Sequence, residues 1–227
     1  MILTAHQPCY LPWLGLFAKI AQADTFVLFD QVQYQPRDYN NRNKIWSSHG
    51  PMWLTVPVYT KGHREKTIDQ IEINNTLPWG RKHWRSIWQS YHKAAHFDTY
   101  APNIERCYQQ RWSSLSNLND NLLRMLMEWL NLTVAYHYAS AYVFKGTKSD
   151  LVLDMCQQLG ASTYIFGAMG RDYADVNAFE AAGIECRFQD YIHPTYSQFG
   201  GEFMPNLSII DLLFHHGPQA KEILLGG

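Results

Sequence analysis

The sequence lacks the features of secreted, membrane-spanning and polyanion-binding proteins. None of its apolar runs reaches the roughly 18 residues of a transmembrane helix. The start, Met1–Ala5, has no basic segment, so we expect no secretory signal peptide. The formal net charge is only −1, and no overall field therefore attracts nucleic acid or an anionic membrane. We expect a cytoplasmic protein with no membrane insertion.

Cysteine pairs and metal-binding motifs are also missing. The four cysteines form no CxxC pair and predict reduced thiols. The ten histidines show no HExxH-type spacing, so we expect no metal site, and no cofactor is certain. Apolar residues make up 46% of the 227 residues, enough for a large core. Aromatic residues reach 15%, and several stand beside Gln, Asn and Arg, which suits recognition of sugars or nucleobases.

Apolar runs alternate with helical patterns at both ends of the chain. Residues 1–5 and 26–29 predict buried strands, joined by a helix over 12–23, which together make a parallel βαβ unit. The alternation resumes at Val134, with helices over 149–159 and 175–182 and strands over 164–166 and 184–188. We therefore predict an α/β, Rossmann-like, mostly parallel sheet with both chain ends in it.

The middle of the chain interrupts this alternation with helices and loops. Helical patterns begin at Pro78, with Trp84, Ile87, Trp88 and Tyr91 on one face, and continue over 101–112 and 116–131. We expect a single domain of residues 1–227, with an α/β core at about 1–75 and 132–227 and a helical insertion at about 76–131. Residues 31–50 and 61–66 predict polar loops, and a strand over 53–58 pairs with either 45–46 or 71–73.

The polar loop after the first strand is the strongest candidate site. Ligands of open α/β sheets bind beyond the carboxyl ends of the strands. His6 lies there before a helix N-terminus, which suits phosphate binding or proton transfer; a structural hydrogen bond to Asp30 is the alternative. Cys9 is a weaker candidate nucleophile, because the sequence identifies no third partner for a His–Cys pair. The candidate ligand-binding residues here are Gln7, Tyr10 and Trp13, and Trp13 suits the core equally well.

A second polar stretch follows the next strand. Asp30, at the strand tip, is a candidate catalytic group, and Gln33 is a candidate binding residue. The run Asn41, Arg42, Asn43 and Lys44 supplies two amides and two cations, which suits a phosphate or carboxylate clamp. Solvation of a flexible loop is the alternative for this run.

The later strands lead to two further polar stretches. After the strand over 164–166, the candidate binding residues are Gly167, Asp172 and Tyr173, although this is neither a GxGxxG nor a P-loop motif. After the last strand, Gln189, Tyr196 and Gln198 suit a polyhydroxyl ligand. Asp211, in an apolar helix, either pairs with a buried cation or points into the site. The basic–aromatic segment 81–88 could contact RNA, but inward aromatics and solvated cations explain it better.

Four segments strongly resemble the WbqC-like protein family. They are the run HQPxYLPWxGxFxKI over 6–20, the motifs DxxQY at 30–34 and NRNKI at 41–45, and the run FxPNLSIIDLLF over 203–214. The likeness covers residues 2 to about 217. It implies association with bacterial surface-polysaccharide gene clusters, notably O-antigen synthesis, and a cytosolic enzyme acting on activated sugars.

A more distant likeness links the opening to nucleotidyltransferases and class I synthetases, whose corresponding loop carries an HxGH motif. Only His6 is present here, with Trp13-Leu14-Gly15 where a second histidine would stand. We predict a transferase that modifies a nucleotide-activated amino sugar by amide-forming acyl or aminoacyl transfer. The alternatives are a non-catalytic nucleotide-sugar-binding or scaffold subunit, and a nucleotidyltransferase-like or aminoacyl-tRNA-dependent transferase.

Overall fold

The computed structural model describes residues 1–62 and 65–226. Its strands are β1 (Ile2–His6), β2 (Thr25–Leu28), β3 (Arg42–Ile45), β4 (Met52–Thr55), β5 (Ala135–Tyr138), β6 (Thr163–Phe166) and β7 (Glu185–Phe188). Five of them form one sheet in the order β5-β2-β1-β6-β7, and all neighbouring pairs are parallel. The predicted α/β class and mostly parallel, Rossmann-like sheet are confirmed.

Helices cover both faces of this sheet. They are α1 (Leu14–Ile20), α2 (Trp79–Tyr91), α3 (Phe97–Gln109), α4 (Leu115–Trp129), α5 (Ser149–Leu159), α6 (Val176–Ala181), α7 (Ile209–His216) and α8 (Ala220–Leu225). Phe26 and Leu28 of β2 join the apolar cluster that contains α1 to α4, α7 and α8, whereas Val27 joins the cluster of α5 and α6. Because both faces are buried, the strand is a continuous apolar run rather than an alternating one.

The middle third is helical, as predicted, with α3 and α4 lying close to the expected ranges. Ser114 caps α4, since its hydroxyl accepts a hydrogen bond from the amide of Asn117 at 3.3 Å. The placement of Trp88 on the buried face of α2 was wrong: its side chain is 48% exposed and stacks on His92. Trp88 follows the buried Ile87 by one residue, a turn of about 100° around the helix axis.

A two-stranded antiparallel hairpin, β3–β4, stands apart from the main sheet, with Lys44 opposite Trp53. The strand expected over 53–58 therefore pairs with Ile45, the first predicted alternative, but ends at Thr55. Beyond its end, an isolated antiparallel bridge joins Val58 to Ile73, so the second alternative is also met in part. The loop expectation for 31–50 was wrong at Arg42–Ile45. The exposed loop expected over 61–66 includes residues 63 and 64, which lie outside the described residues.

The C-terminal part ends in α7 and α8, so the expectation that both chain ends lie in the sheet was wrong. Ser208 caps α7, since its hydroxyl accepts a hydrogen bond from the amide of Ile210 at 3.4 Å. Its amide donates to the carbonyl of Lys44, and the amide of Ile209 donates to that of Pro12, both at 2.9 Å. A bridge also pairs Ser208 with Trp13. We call this meeting of the first loop, β3 and residues 208–209 the C-terminal junction. Within the described ranges, no helix is long and apolar enough to span a membrane.

Candidate functional site

A cavity of about 570 Å³ lies at the carboxyl ends of β1, β2, β6 and β7. This volume falls within the range typical of small-molecule sites, and the place is where open α/β sheets bind ligands. Apolar side chains of the strands form part of the wall, and the loops after the strands supply polar groups. The lining residues are Ala5, His6, Gln7, Cys9, Trp13, Leu16, Lys19, Phe29, Val32, Asp38, Tyr39, Asn40, Val152, Tyr164, Phe166, Gly167, Ala168, Met169, Gly170, Tyr173 and Gln189.

The loop after β1 is held in a fixed shape beside this cavity. Leu11 is fully buried and adopts a left-handed backbone conformation, with φ of 43°, which is costly for a branched side chain. The amide side chain of Asn43 donates to the Leu11 carbonyl at 2.6 Å, and that of Asn40 donates to the Pro8 carbonyl at 3.0 Å. These two buried amides therefore hold the loop from the side of β3.

His6 ends β1 and reaches the cavity with a neutral imidazole. Its Nδ1 lies 2.9 Å from the Gln7 carbonyl, so we assign the proton to Nδ1, which leaves Nε2 as an acceptor. Burial, and then the charge of Lys19, lower the pKa of His6 to about 3. Trp13 packs edge-on against the ring, with 5.2 Å between centroids. The neutral ring therefore presents Nε2 as a hydrogen-bond acceptor, and its low pKa makes it a weak base in the empty cavity. The predicted alternative, a structural hydrogen bond from His6 to Asp30, is not formed, because Asp30 accepts its hydrogen bonds from Ser140.

Cys9 also lines the cavity, and its Sγ lies 3.6 Å from Nδ1 of His6. Burial raises the pKa of this thiol far above its ordinary value, and the charge of Asp38 adds to the effect. The neutral thiol is therefore favoured over the nucleophilic thiolate. The nitrogen of His6 that faces Cys9 is Nδ1, which carries the proton donated to the Gln7 carbonyl. It therefore cannot take a proton from the Cys9 sulfur, as a Cys–His catalytic pair requires.

Lys19 is a cavity residue that the sequence did not single out. It belongs to α1, all of whose residues are buried, and is itself only 3% exposed. Its Nζ donates to the Ala5 carbonyl at 2.9 Å. Burial lowers the pKa of Lys19 to about 8. The ammonium thus lies in the wall beside His6, and its charge is a cause of the low pKa of that histidine.

The second polar stretch is divided by the fold. Asp30 is buried, and its carboxylate accepts hydrogen bonds from the amide and hydroxyl of Ser140 at 3.0 and 2.7 Å, away from the cavity lining. Gln33 forms a bridge with Thr67. Asn41 donates to the carbonyl of Val56 at 2.9 Å, and so joins the start of β3 to the residue that follows β4.

Arg42 and Lys44 lie on the exposed face of β3 rather than in the cavity. Their cationic groups lie 4.3 and 5.0 Å from the ring centre of Trp53. Tyr39 connects this face to the cavity, since its ring lies 5.9 Å from that of Trp53 and 6.0 Å from that of Trp13. The part of the second stretch that reaches the cavity is therefore Val32, Asp38, Tyr39 and Asn40, which the sequence did not single out.

The third stretch and the end of β7 complete the wall. Gly167 and Tyr173 line the cavity, whereas Asp172 is exposed outside the lining. Gly170 packs so closely on Phe166 that a Cβ there would lie 2.5 Å from the Phe166 Cβ. Gln189 lines the wall with its amide donating to the Gly15 carbonyl at 2.8 Å, which fixes its orientation.

Other predicted site residues form separate buried networks outside the cavity lining. Asp211 accepts hydrogen bonds from the Tyr196 hydroxyl at 3.0 Å and from Gln198 at 2.7 Å. Burial raises the pKa of Asp211, and His215, with Nδ1 4.0 Å away, lowers it. The Tyr10 hydroxyl lies 2.8 Å from Nδ1 of His83 and also bonds to that of Tyr108. Both networks lie in the core.

A second cavity, of about 590 Å³, lies between the β3–β4 turn and the end of α2. Its lining contains no residue of the five-stranded sheet; it is formed by Trp46, Ser47, Ser48, His49, Met52, Gln89, Ser90, His92, Lys93 and Phe199. We take the strand-end cavity as the candidate site, because it combines a neutral imidazole, a buried ammonium and amide groups.

The fold and the cavity together define an α/β protein with a mostly parallel sheet and a cavity at its strand ends. The model of the WbqC-like protein family matches residues 7–223, and the chain belongs to that family. It is also similar to an uncharacterized protein of Mycobacterium tuberculosis, with 36% identity over 220 residues that cover 96% of this chain and 95% of the relative. No solved structure matches the chain significantly.

Proposed function

We propose that this protein is a cytoplasmic transferase of bacterial surface-polysaccharide synthesis, including O-antigen, that modifies a nucleotide-activated amino sugar. The observation that carries the proposal is the strand-end cavity, in which the acceptor nitrogen of neutral His6 lies among aromatic and amide groups. Membership of the WbqC-like family supports the association with polysaccharide synthesis only through the resemblance described above.

The cavity wall suits a sugar or nucleobase. The rings of Trp13, Tyr39 and Tyr173 provide flat apolar surface, and the two tyrosines are 37% and 44% exposed, so their faces are available to a ligand. Gln7 adds an amide group that can bind hydroxyls, and the buried amide of Asn40 donates to Gln7 at 3.3 Å and so orients it. Such a mixture of aromatic surface and a few fixed polar groups is typical of sites for polar small molecules.

The favoured reaction is amide formation on the sugar amine. The amine nitrogen attacks the carbonyl carbon of an activated acyl or aminoacyl donor, a new C–N bond forms, and the bond from that carbon to the donor's leaving group breaks. His6 Nε2 accepts the proton that the nitrogen loses and returns it to the leaving group. The neutral tautomer assigned above is the form that this step needs.

The test combines ligand binding with turnover. A panel of UDP- and dTDP-sugars should raise the melting temperature, with amino sugars raising it most. His6→Ala should abolish acyl transfer to the amino sugar and keep the native circular dichroism spectrum, while the exposed His49→Ala serves as control. No shift with any nucleotide sugar would refute the proposal, and binding without turnover would favour the scaffold alternative.

One observation favours a version of this reaction in which the donor is an aminoacyl-tRNA. Trp88 is exposed and stacked on His92, and exposed cations flank it on α2, at Arg81, Lys82 and Arg85. Stacking surface beside cations is suited to single-stranded RNA. RNA that copurifies with the protein, leaves at high salt and is lost in Trp88→Ala would support this version. A preparation free of RNA at low salt would exclude it.

A further inference from the structure

Lys19 has hydrogen-bonding capacity that the fold does not use. An ammonium has three N–H donors. Among the described residues, Lys19 has one acceptor, the Ala5 carbonyl at 2.9 Å. The lysine is 97% buried by its surrounding residues, yet it contributes to the cavity wall. A ligand in the cavity can therefore accept hydrogen bonds from the remaining N–H donors of Lys19.

The charge of Lys19 also has no ion-pair partner among the described residues. Asp38 lines the same cavity, but one of its carboxylate oxygens accepts from the amide of Tyr39 at 2.7 Å. Burial of an unpaired ammonium is costly, and such a group is retained most readily where a ligand supplies the counter-charge.

Lys19 is the one lysine or arginine among the described residues that line the cavity. Arg42 and Lys44, the cations that the sequence suggested for this role, instead lie over Trp53. Any negatively charged group that enters the cavity therefore has Lys19 as its partner.

We propose that Lys19 binds an oxyanion of the substrate, a phosphate or a carboxylate, and holds it in the cavity beside His6. The inference deepens the proposed function and rests on it, since it states which group of the substrate this wall recognises. Neutralisation of the ammonium also acts on His6. The charge of Lys19 lowers the pKa of that imidazole, so a bound anion makes His6 a better proton acceptor when the substrate is in place.

The test uses two simple anions and three proteins. Thermal unfolding is followed at pH 7 and constant ionic strength, with chloride replaced stepwise by pyrophosphate or by succinate. The proteins are the wild type, Lys19→Met and Lys221→Met. Lys221 is the matched control, because its Nζ donates to the Asn131 carbonyl at 2.8 Å but is exposed.

A saturable rise in melting temperature is expected for the wild type and Lys221→Met. In Lys19→Met the anion should bind about 10- to 100-fold more weakly, the loss of a charged hydrogen bond. A response to pyrophosphate alone identifies a phosphate-bearing group, and a response to succinate alone a carboxylate. An equal response of Lys19→Met, or no saturable response of the wild type to either anion, would overturn the inference.

A second measurement needs no variant. Succinate is fully ionised above pH 7, so the rise that it causes in the wild type should shrink between pH 7 and 10 as Lys19 loses its proton. The two proposals fail separately. Nucleotide sugars that bind Lys19→Met as tightly as the wild type would refute the role of Lys19 and leave the transferase intact. Anion binding at Lys19 without binding of any nucleotide sugar would refute the transferase and leave the role of Lys19 intact.

Discussion

Replacement of Lys19 by methionine should stabilise the protein at neutral pH. The folded state lowers the pKa of this lysine from 10.5 to about 8. At about 1.4 kcal/mol per pH unit, the ammonium therefore costs the folded state about 3 kcal/mol. Methionine has a similar shape but leaves the Ala5 carbonyl without its donor, which costs about 1–2 kcal/mol. The net gain is about 1–2 kcal/mol at pH 7, or roughly 2–8 °C in melting temperature.

The pH dependence gives the decisive assay. Between pH 8 and 10.5, the unfolded wild type binds more protons at this position than the folded one, so its free energy of unfolding rises with pH. Below the folded pKa the cost is fully present, and above 10.5 it is gone. Urea unfolding at pH 7 to 10.5 should therefore show the advantage of Lys19→Met shrinking across this window. Differences between the proteins cancel the titration of tyrosines and cysteines that both share.

Lys221→Met, the control that loses an exposed ammonium with the same kind of acceptor, should track the wild type at every pH. The reasoning about Lys19 would be refuted by a constant difference between Lys19→Met and the wild type from pH 8 to 10.5. It would also be refuted if Lys19→Met were less stable than the wild type at pH 7, since the ammonium would then be a net stabilising group.

Three further predictions concern the surroundings of the cavity and the core. Burial lowers the pKa of His83 from 6.5 to about 4, so the wild type should lose about 3 kcal/mol as pH falls through that window, and His83→Gln should lose less in acid unfolding. Gly170→Ala places a methyl group against Phe166 and should cost about 1–3 kcal/mol and weaken ligand binding; unchanged calorimetric affinity would contradict the packing described. Asp30→Asn weakens two hydrogen bonds from Ser140 and should cost about 1.5–3 kcal/mol in urea unfolding, with little effect on ligand binding, because Asp30 lies outside the cavity lining.

The place of the cavity could be predicted because buried parallel strands are recognisable as short apolar runs. Each run ends in a polar loop, and parallel strands bring those loops to one edge of the sheet. His6, Gln189 and the segment 167–173 were found by this rule, and all contribute to the lining. The rule needs only the direction of the strands, not their order.

Lys19 escaped the same reasoning because α1 has no polar face. A helix with one apolar stripe directs its lysines to solvent, but every residue of α1 is buried between the sheet and other helices. The sequence shows only one lysine in an apolar helix, and such residues usually extend their charge to water. Its burial is set by tertiary packing, which a helical pattern does not reveal.

Arg42 and Lys44 illustrate the opposite failure. A run of amides and cations resembles a loop, and the alternation that marks a strand is visible only once β4 is in place. Pairing then directs Asn43 inward and the two cations over Trp53. Tyr196 and Asp211 were also placed among ligand-binding residues, but in the structure the Tyr196 hydroxyl donates a hydrogen bond to Asp211 within the core.

The C-terminal junction has a consequence for how the protein is made. The ribosome makes β1 and the first loop before the residues that hold them, because the amide of Ile209 and the bridge from Ser208 come about 200 residues later. At about 5–20 residues per second, that interval lasts about 10 s or more. A nascent chain therefore carries its His6 loop without this anchor during the interval, and ligand binding should begin only when α7 has emerged.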